Sequence, residues 1–255
     1  MLVPLFTMHK TPTLTVIIPT FNEAGYIEDA LKSVAFADEI ILIDSFSEDA
    51  TLTLATPHVS KVLSREFDNF SNQKNEALKH AKGQWVLFLD ADERVTQSLE
   101  KEIKETIQNP VHSGYKINFP HFYMNRFLYS HSDDVLRLVK REGAHFKGEV
   151  HEKLLCNGSV GRLKNKMLHY TYKDLHSYIT KKESYAWFQA KQQYAKGKRA
   201  TWMHFWFKPL FRFFKSYIIK GGYKDGVPGL TVAGVNAYGV FQRYVKLHLL
   251  HKSME

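Results

Sequence analysis

The chain has 255 residues, 44% of them apolar, which suffices for a globular core and limits it to one large domain or a catalytic domain with an appendage. Its single cysteine, Cys156, excludes an intrachain disulfide and fits a reducing compartment. The net charge of +9 is unevenly placed: residues 1–110 hold 10 Lys+Arg against 17 Asp+Glu, a net of −7, and residues 111–255 hold 25 against 9, a net of +16.

Met1 to Thr13 carry too short an apolar stretch for a secretory signal, so export is not expected. Leu14-Thr15-Val16-Ile17-Ile18 reads as a strand stopped by Pro19, and Asn22 stands where it would cap a helix from about Glu23 to Ala35. Glu39 to Ile43 is a second strand ending in Asp44-Ser45. A short helix near Asp49 to Ala55 and a weaker strand at Lys61-Val62-Leu63 follow. Phe70 to Ala81 reads as a helix closed by Gly83, Trp85 to Leu89 as the central strand, and Thr96 to Gln108 as a further helix. This alternation is that of a parallel α/β unit. From residue 111 the pattern changes: Tyr115 to Phe119 and Val135 to Val139 alternate with period two, while Leu175 to Lys196 and Trp202 to Ile219 are helical. No stretch reads as a transmembrane helix. Gly226 to Gln242 lacks charges but is rich in glycine and only moderately apolar, which suits a close-packed helix.

The apolar run Val86 to Leu89 ends in Asp90-Ala91-Asp92-Glu93. Burial of a strand needs the apolar run but not the acids. In open α/β sheets, ligands collect at the carboxyl ends of strands. Asp90 and Asp92 therefore stand where Mg²⁺ or Mn²⁺ would bridge them to a diphosphate. A solvated acidic turn is the plain alternative for an isolated D-x-D. Here two further polar clusters, Asn22-Glu23 and Asp44 with Asp49, also sit at strand ends. Without a glycine-rich phosphate loop, they argue against a dinucleotide Rossmann domain and a P-loop.

Three segments, in this order and spacing, resemble the family 2 glycosyltransferases with the GT-A fold. They are Val16-Ile17-Ile18-Pro19-Thr20-Phe21-Asn22-Glu23, Asp44-Ser45-Phe46-Ser47-Glu48-Asp49-Ala50-Thr51, and Lys74-Asn75 followed by Leu89 to Glu93. Within that family the chain is most similar to the lipopolysaccharide-core β-glucosyltransferases. That similarity rests on Asp90 to Arg94, Gly148-Glu149-Val150-His151-Glu152, Leu168-His169-Tyr170 and Gly221 to Gly226. The resemblance implies an α/β GT-A domain over residues 1–172, with a Rossmann-like, mostly parallel sheet flanked by helices. Its nucleotide-sugar half would cover about 13–110 and its acceptor half about 111–172. A helical, basic and aromatic extension over 173–255 would associate with membrane.

The same resemblance assigns roles. Pro19, Asn22, Glu23, Asp44, Lys74, Asp90, Ala91 and Asp92 would bind the nucleotide sugar, with Asp44 near the uracil or ribose. Asp90 and Asp92 would hold Mn²⁺ or Mg²⁺, Asp92 more directly. Asn22 and Asp49 have helix capping as their plain alternative, and Lys74 a solvated helix face. Glu152 is the expected general base; Glu149, or a structural ion pair to Arg137, Lys140 or Arg141, is the alternative. His151 would contact acceptor or diphosphate. His169 would reach metal or diphosphate, or else be structural.

The implied activity is inverting, metal-dependent transfer of a hexose, glucose from UDP-glucose, onto a membrane-presented glycolipid such as the lipopolysaccharide inner core. The site of action would be the cytoplasmic face of the inner membrane. Another nucleotide sugar, a polyprenyl-phosphate acceptor, or an inactive membrane-bound scaffold are the alternatives. The basic second half calls for an anionic partner. The interleaved aromatics and cations of Trp202 to Lys220 have the composition of an interfacial helix, or of an amphipathic helix packed on the catalytic domain. Nucleic acid is not expected, since no recognisable module is present and the strand-end acids would repel a phosphate backbone.

Overall fold

Leu14–Thr20 (β1) is buried along almost its whole length because it is apolar on both faces, as a strand at the centre of a parallel sheet must be. Ile27–Ser33 (α1), Glu39–Asp44 (β2), Thr51–Ala55 (α2), Lys61–Ser64 (β3), Phe70–His80 (α3) and Trp85–Phe88 (β4) follow. Then come Glu93–Val95 (β5), Gln97–Gln108 (α4), Gly114–Tyr123 (β6), Arg126–Lys140 (β7), His145–Lys147 (β8), Lys153–Leu155 (β9) and Val160–His169 (β10). Leu175–Ala195 (α5), Trp202–Phe214 (α6) and Val227–Lys252 (α7) complete the order. This computed structural model describes residues 13–124, 126–148, 152–170 and 175–252. The chain divides into two units. One runs to Phe119 and resumes over Asp134–His169; the other takes Pro120–Asp133 and continues from Tyr170.

In the first unit the strand order is β3-β2-β1-β4-β7-β6-β10-β5, with β8 and β9 as a separate pair. β3, β2, β1 and β4 are parallel neighbours, whereas β4 with β7 and β10 with β5 are antiparallel, so the sheet is mixed. Period two along the strands divides the core. Val16, Ile18, Leu42 and Leu87 face α1 and α4 through Ile27, Leu31, Leu99 and Ile103. Ile17, Ile41, Val86 and Phe88 face Ala77 and Leu78 of α3.

One expected boundary moves. α1 begins at Ile27 and Tyr26 precedes it without a side-chain cap, so Asn22 caps no helix. Asn22 has φ 55°, a left-handed conformation that cannot open an α-helix.

In the second unit, α5 and α6 both pack on α7. Tyr123 and Leu128 of the β6–β7 arm join Tyr178, Val232 and Val235 in one core, which is why this arm groups with the C-terminal helices rather than with the preceding sheet. α7 starts against the turn Gly222–Asp225: a Cβ on Gly229 would lie 1.9 Å from the Gly222 carbonyl oxygen. Asp225 is fully buried there and accepts from the Ser130 backbone N–H at 3.0 Å and from the Ser130 hydroxyl. α6 turns Phe205 toward Phe241 and His248 of α7 and packs His204, tilted, against Tyr244. Its opposite side is exposed. Among the described residues, no helix is long and apolar enough to cross a membrane.

Candidate active site

Parallel register brings three strand ends together, with Thr20 paired to Asp44 and Ile17 to Phe88. The loops after β1 and β2 are cross-linked. Asn22 accepts from the Glu48 N–H at 2.9 Å and donates its own N–H to Ser47 Oγ at 2.9 Å. The Glu23 N–H reaches Thr51 Oγ1 at 2.7 Å and the Ala24 N–H reaches Asp49 Oδ2 at 3.1 Å. Asp49 also accepts from the Thr51 N–H at 2.9 Å and from its hydroxyl, which hold it below the usual carboxylate range. These bonds fix two left-handed non-glycine residues, Asn22 and Phe46 (φ 63°), each of which costs about 1–2 kcal/mol.

Asp44 is fully buried. Its Oδ1 accepts from Thr20 Oγ1 at 3.1 Å and Ser47 Oγ at 2.6 Å, and its Oδ2 accepts from the Ser47 N–H at 2.8 Å. It builds the loop. The cavity beside that loop, about 610 Å³, is lined by Pro19, Glu23, Asp90, Ala91 and Asp92 among the expected residues. Sequence reasoning missed the exposed rings on the same wall, Phe21, Phe67 and Phe70, and the polar Ser45 and Gln73. An aromatic two positions after Pro19, just past the end of β1, was the available signal for Phe21.

Below the cavity lies a dense ionic cluster. Asp90 Oδ2 and Glu93 Oε1 share Arg137 Nη2 at 2.7 and 2.5 Å, and Glu93 Oε2 accepts the Asp90 N–H at 2.9 Å. Arg94 donates to the carbonyls of Ala91, Glu93 and Tyr26, each at 2.7 Å, and so locks the turn that carries both aspartates. Burial works against the Asp90 charge, but Arg137 and Lys74 outweigh it and hold Asp90 below the usual carboxylate range. Glu93 is almost wholly buried, and there desolvation wins over Arg137 and raises its carboxyl. Neither Arg137 nor Glu93 was singled out by sequence for this cluster. Arg137 lies in an alternating strand and is expected there only as one candidate ion-pair partner of Glu152.

β5 and β10 pair with His169 opposite Glu93, which brings His169 Nε2 to 3.2 Å from Asp92 Oδ2. Burial favours the neutral ring, but the Asp92 hydrogen bond and the surrounding carboxylates raise the His169 pKa. Lys74, expected at the nucleotide sugar with a solvated helix face as the alternative, is buried: its ammonium lies 3.6 Å from Asp90 Oδ1 and 3.3 Å from Glu152 Oε1, between the Phe70 and Phe146 rings. The ion pair of Glu152 is therefore with Lys74, while Arg137 is engaged by Asp90 and Glu93. The neighbouring Asn75 is structural, exchanging two bonds with the Phe146 backbone at 2.9 and 2.7 Å. Glu149 and His151 lie outside the described residues.

Among the described residues, no three His, Cys, Asp or Glu side chains are arranged to enclose a metal ion. The donor chemistry nevertheless suits a hard cation that keeps most positions for water and phosphate. Asp92 faces an imidazole that a cation would replace or recruit, whereas Asp90 is already neutralised by Arg137 and Lys74.

The sequence matches Glycosyl transferase family 2 over residues 15–168. The chain belongs to that family, and its α/β unit is a GT-A fold. An uncharacterised glycosyltransferase of Rickettsia bellii is 27% identical, the match covering 94% of this chain and 87% of that one. The lipopolysaccharide core biosynthesis glycosyltransferase LpsC of Rhizobium meliloti is 24% identical over 93% of each chain. The crystal structure of Staphylococcus aureus TarS 1-349 with UDP is similar at 14% identity and a TM-score of 0.49, over 95% of this chain and 92% of that one.

Proposed function

We infer that the protein is an inverting glycosyltransferase that moves a hexose, glucose from UDP-glucose, onto a membrane-presented glycolipid of the lipopolysaccharide inner core. The observation that carries this reading is the single turn that presents Asp90 and Asp92 to the cavity while Lys74 ties Asp90 to Glu152. The similarity to LpsC supports the acceptor class.

In this reading the nucleoside occupies the cavity, with Phe21, Phe67 and Phe70 offering ring faces to the base and Glu23 its carboxylate. Asp92, with His169 as second donor, would hold Mn²⁺ or Mg²⁺. That cation supplies a counter-charge for the departing diphosphate. Glu152 takes the proton of the acceptor hydroxyl as its oxygen forms the bond to the anomeric carbon. The bond from that carbon to the diphosphate breaks, and the nucleoside diphosphate leaves with the electron pair. Lys74 holds Glu152 in place; Arg94 and Arg137 keep the aspartate turn rigid.

The test is nucleotide release from a panel of UDP- and GDP-sugars with Mn²⁺, using solubilised lipopolysaccharide core truncated at the inner heptoses. Acceptor-stimulated release from UDP-glucose that a chelator abolishes is the expected result. Release from a different donor corrects the sugar. No release and no metal-dependent UDP binding overturns the assignment in favour of a scaffold.

A further inference from the structure

The outward side of α6 is an apolar surface that none of the described residues covers. Trp206, Phe207, Leu210, Phe211 and Phe214, continued by Ile218 in the helical turn Lys215–Ile219 that follows α6, form a stripe at helical spacing, each between 47% and 67% exposed. Trp202 extends the stripe at its start, also 67% exposed. A surface helix normally buries such a stripe and leaves its polar side outside. Here the side facing α7 carries Phe205, so the helix is apolar both inward and outward. Lys208, Lys215 and Lys220 are exposed along its border.

Charge decides which occupant fits. From residue 184 to residue 224 the sequence contains no Asp or Glu, and it contains nine Lys+Arg. A second copy placed stripe to stripe would bring two such cationic rims together, which like-charge repulsion opposes. The stripe is also the convex side of a helix, not a groove shaped for a peptide. An anionic lipid surface meets both demands: acyl chains take the rings, and headgroup phosphates pair with the lysines. Trp202 and Trp206 are the side chains best suited to the boundary between the two.

We propose that the α6 stripe is the surface by which this protein seats in an anionic bilayer, with α6 lying in the membrane plane and Lys208, Lys215 and Lys220 on headgroup phosphates. It rests on the proposed transfer reaction only for the idea that the acceptor is found there; binding itself requires no turnover.

The experiment uses the full chain with vesicles of phosphatidylcholine alone and with added phosphatidylglycerol, read by co-sedimentation and by quenching of Trp emission with brominated acyl chains. The expected result is binding to the anionic vesicles that weakens with salt. The double variant Leu210→Glu with Phe214→Glu should lower the partition coefficient at least roughly tenfold. Each of Lys208→Gln, Lys215→Gln and Lys220→Gln should lower it roughly fivefold. These positions are exposed, so the variants should keep the wild-type melting temperature. No binding to either vesicle, or binding that the double variant leaves unchanged, overturns the proposal. So does a lipid-free dimer that the double variant dissociates, which would make this face an interface between copies. Turnover of a deacylated, water-soluble acceptor tests the transfer reading separately: its absence counts against that reading and leaves the vesicle result standing.

Discussion

Lys74 and Glu152 are 78 positions apart in the chain, yet the Lys74 ammonium stands 3.3 Å from Glu152 Oε1 and 3.6 Å from Asp90 Oδ1. One buried cation thus couples the strand-end aspartate to the candidate base. α3 is what makes this possible. Asn69 caps it by accepting the Asn72 N–H at 2.9 Å, and Ser71 and Asn75 bind the backbone of Gly148 and Phe146 just before the Glu152 segment. α3 therefore fixes the backbone at Phe146 and Gly148 within the same unit.

Replacing Lys74 with Met removes this coupling and leaves two carboxylates facing each other. Turnover is expected to fall by about 10-fold or more, and stability by about 1–3 kcal/mol, less than for a fully buried pair because Glu152 and Asp90 are partly exposed. Lys74→Arg keeps the charge with a different shape and should restore stability better than turnover. Thermal unfolding and steady-state rates on both variants check this; full turnover in Lys74→Met would show that the ammonium is dispensable.

Glu152→Gln keeps the shape and removes the proton acceptor. Turnover should drop by at least about 10²-fold, while affinity for the nucleotide stays near wild type. Rate and nucleotide-binding measurements on the same preparation separate the two effects. Retained turnover would place the base elsewhere, with Glu149 next to be tested.

The strand ends were legible because an apolar run that stops at carboxylates has no packing explanation. β1, β2 and β4 accordingly lie where the sequence places them. The partners of those acids were not legible. Arg137, Glu93 and Lys74 are spread over strands and a helix, and only tertiary packing shows that they share one buried cluster. Asp44 was legible in part: the motif suggests a ligand contact, and packing shows in addition that Thr20 and Ser47 hold its buried carboxylate. For α6 the sequence gives an amphipathic pattern without saying which side meets α7, and the exposed stripe becomes visible only once Phe205 is seen against Phe241.

Asp92→Ala removes the carboxylate that meets His169. UDP with Mn²⁺ should raise the wild-type melting temperature, since a ligand that binds the folded state stabilises it by mass action. The variant should lose that metal-dependent part. It should keep any protection by UDP alone, because the ring faces of Phe21, Phe67 and Phe70 are unchanged. A variant that UDP and Mn²⁺ protect as well as wild type would rule out Asp92 as the cation ligand.

In the second unit, Lys182 stacks over Tyr178, and its pKa is pushed down to about 8, by burial first and then by Arg212 and Lys181, with Asp133 opposing. Its folded pKa thus lies below its unfolded value. Folding expels a proton between the two, and the resulting penalty is fully present below about 8 and fades as pH rises toward 10.5. Lys182→Met should therefore raise the melting temperature at pH 7, with a gain that shrinks as pH climbs through 8. A gain equal at pH 7 and pH 10 would mean that packing, not charge, explains it.

Asp225 offers the sharpest test of how the second unit holds its hairpin arm. The carboxylate is fully buried and accepts both the N–H and the hydroxyl of Ser130. Asp225→Ala leaves that backbone N–H without its partner, at a cost of about 1–3 kcal/mol. The loss should be local first: amide exchange should accelerate over Arg126–Ser130 and the start of α7. β1, β2 and β4 should keep their protection, since they belong to a different unit. Uniform acceleration across both units would show instead that the two unfold as one.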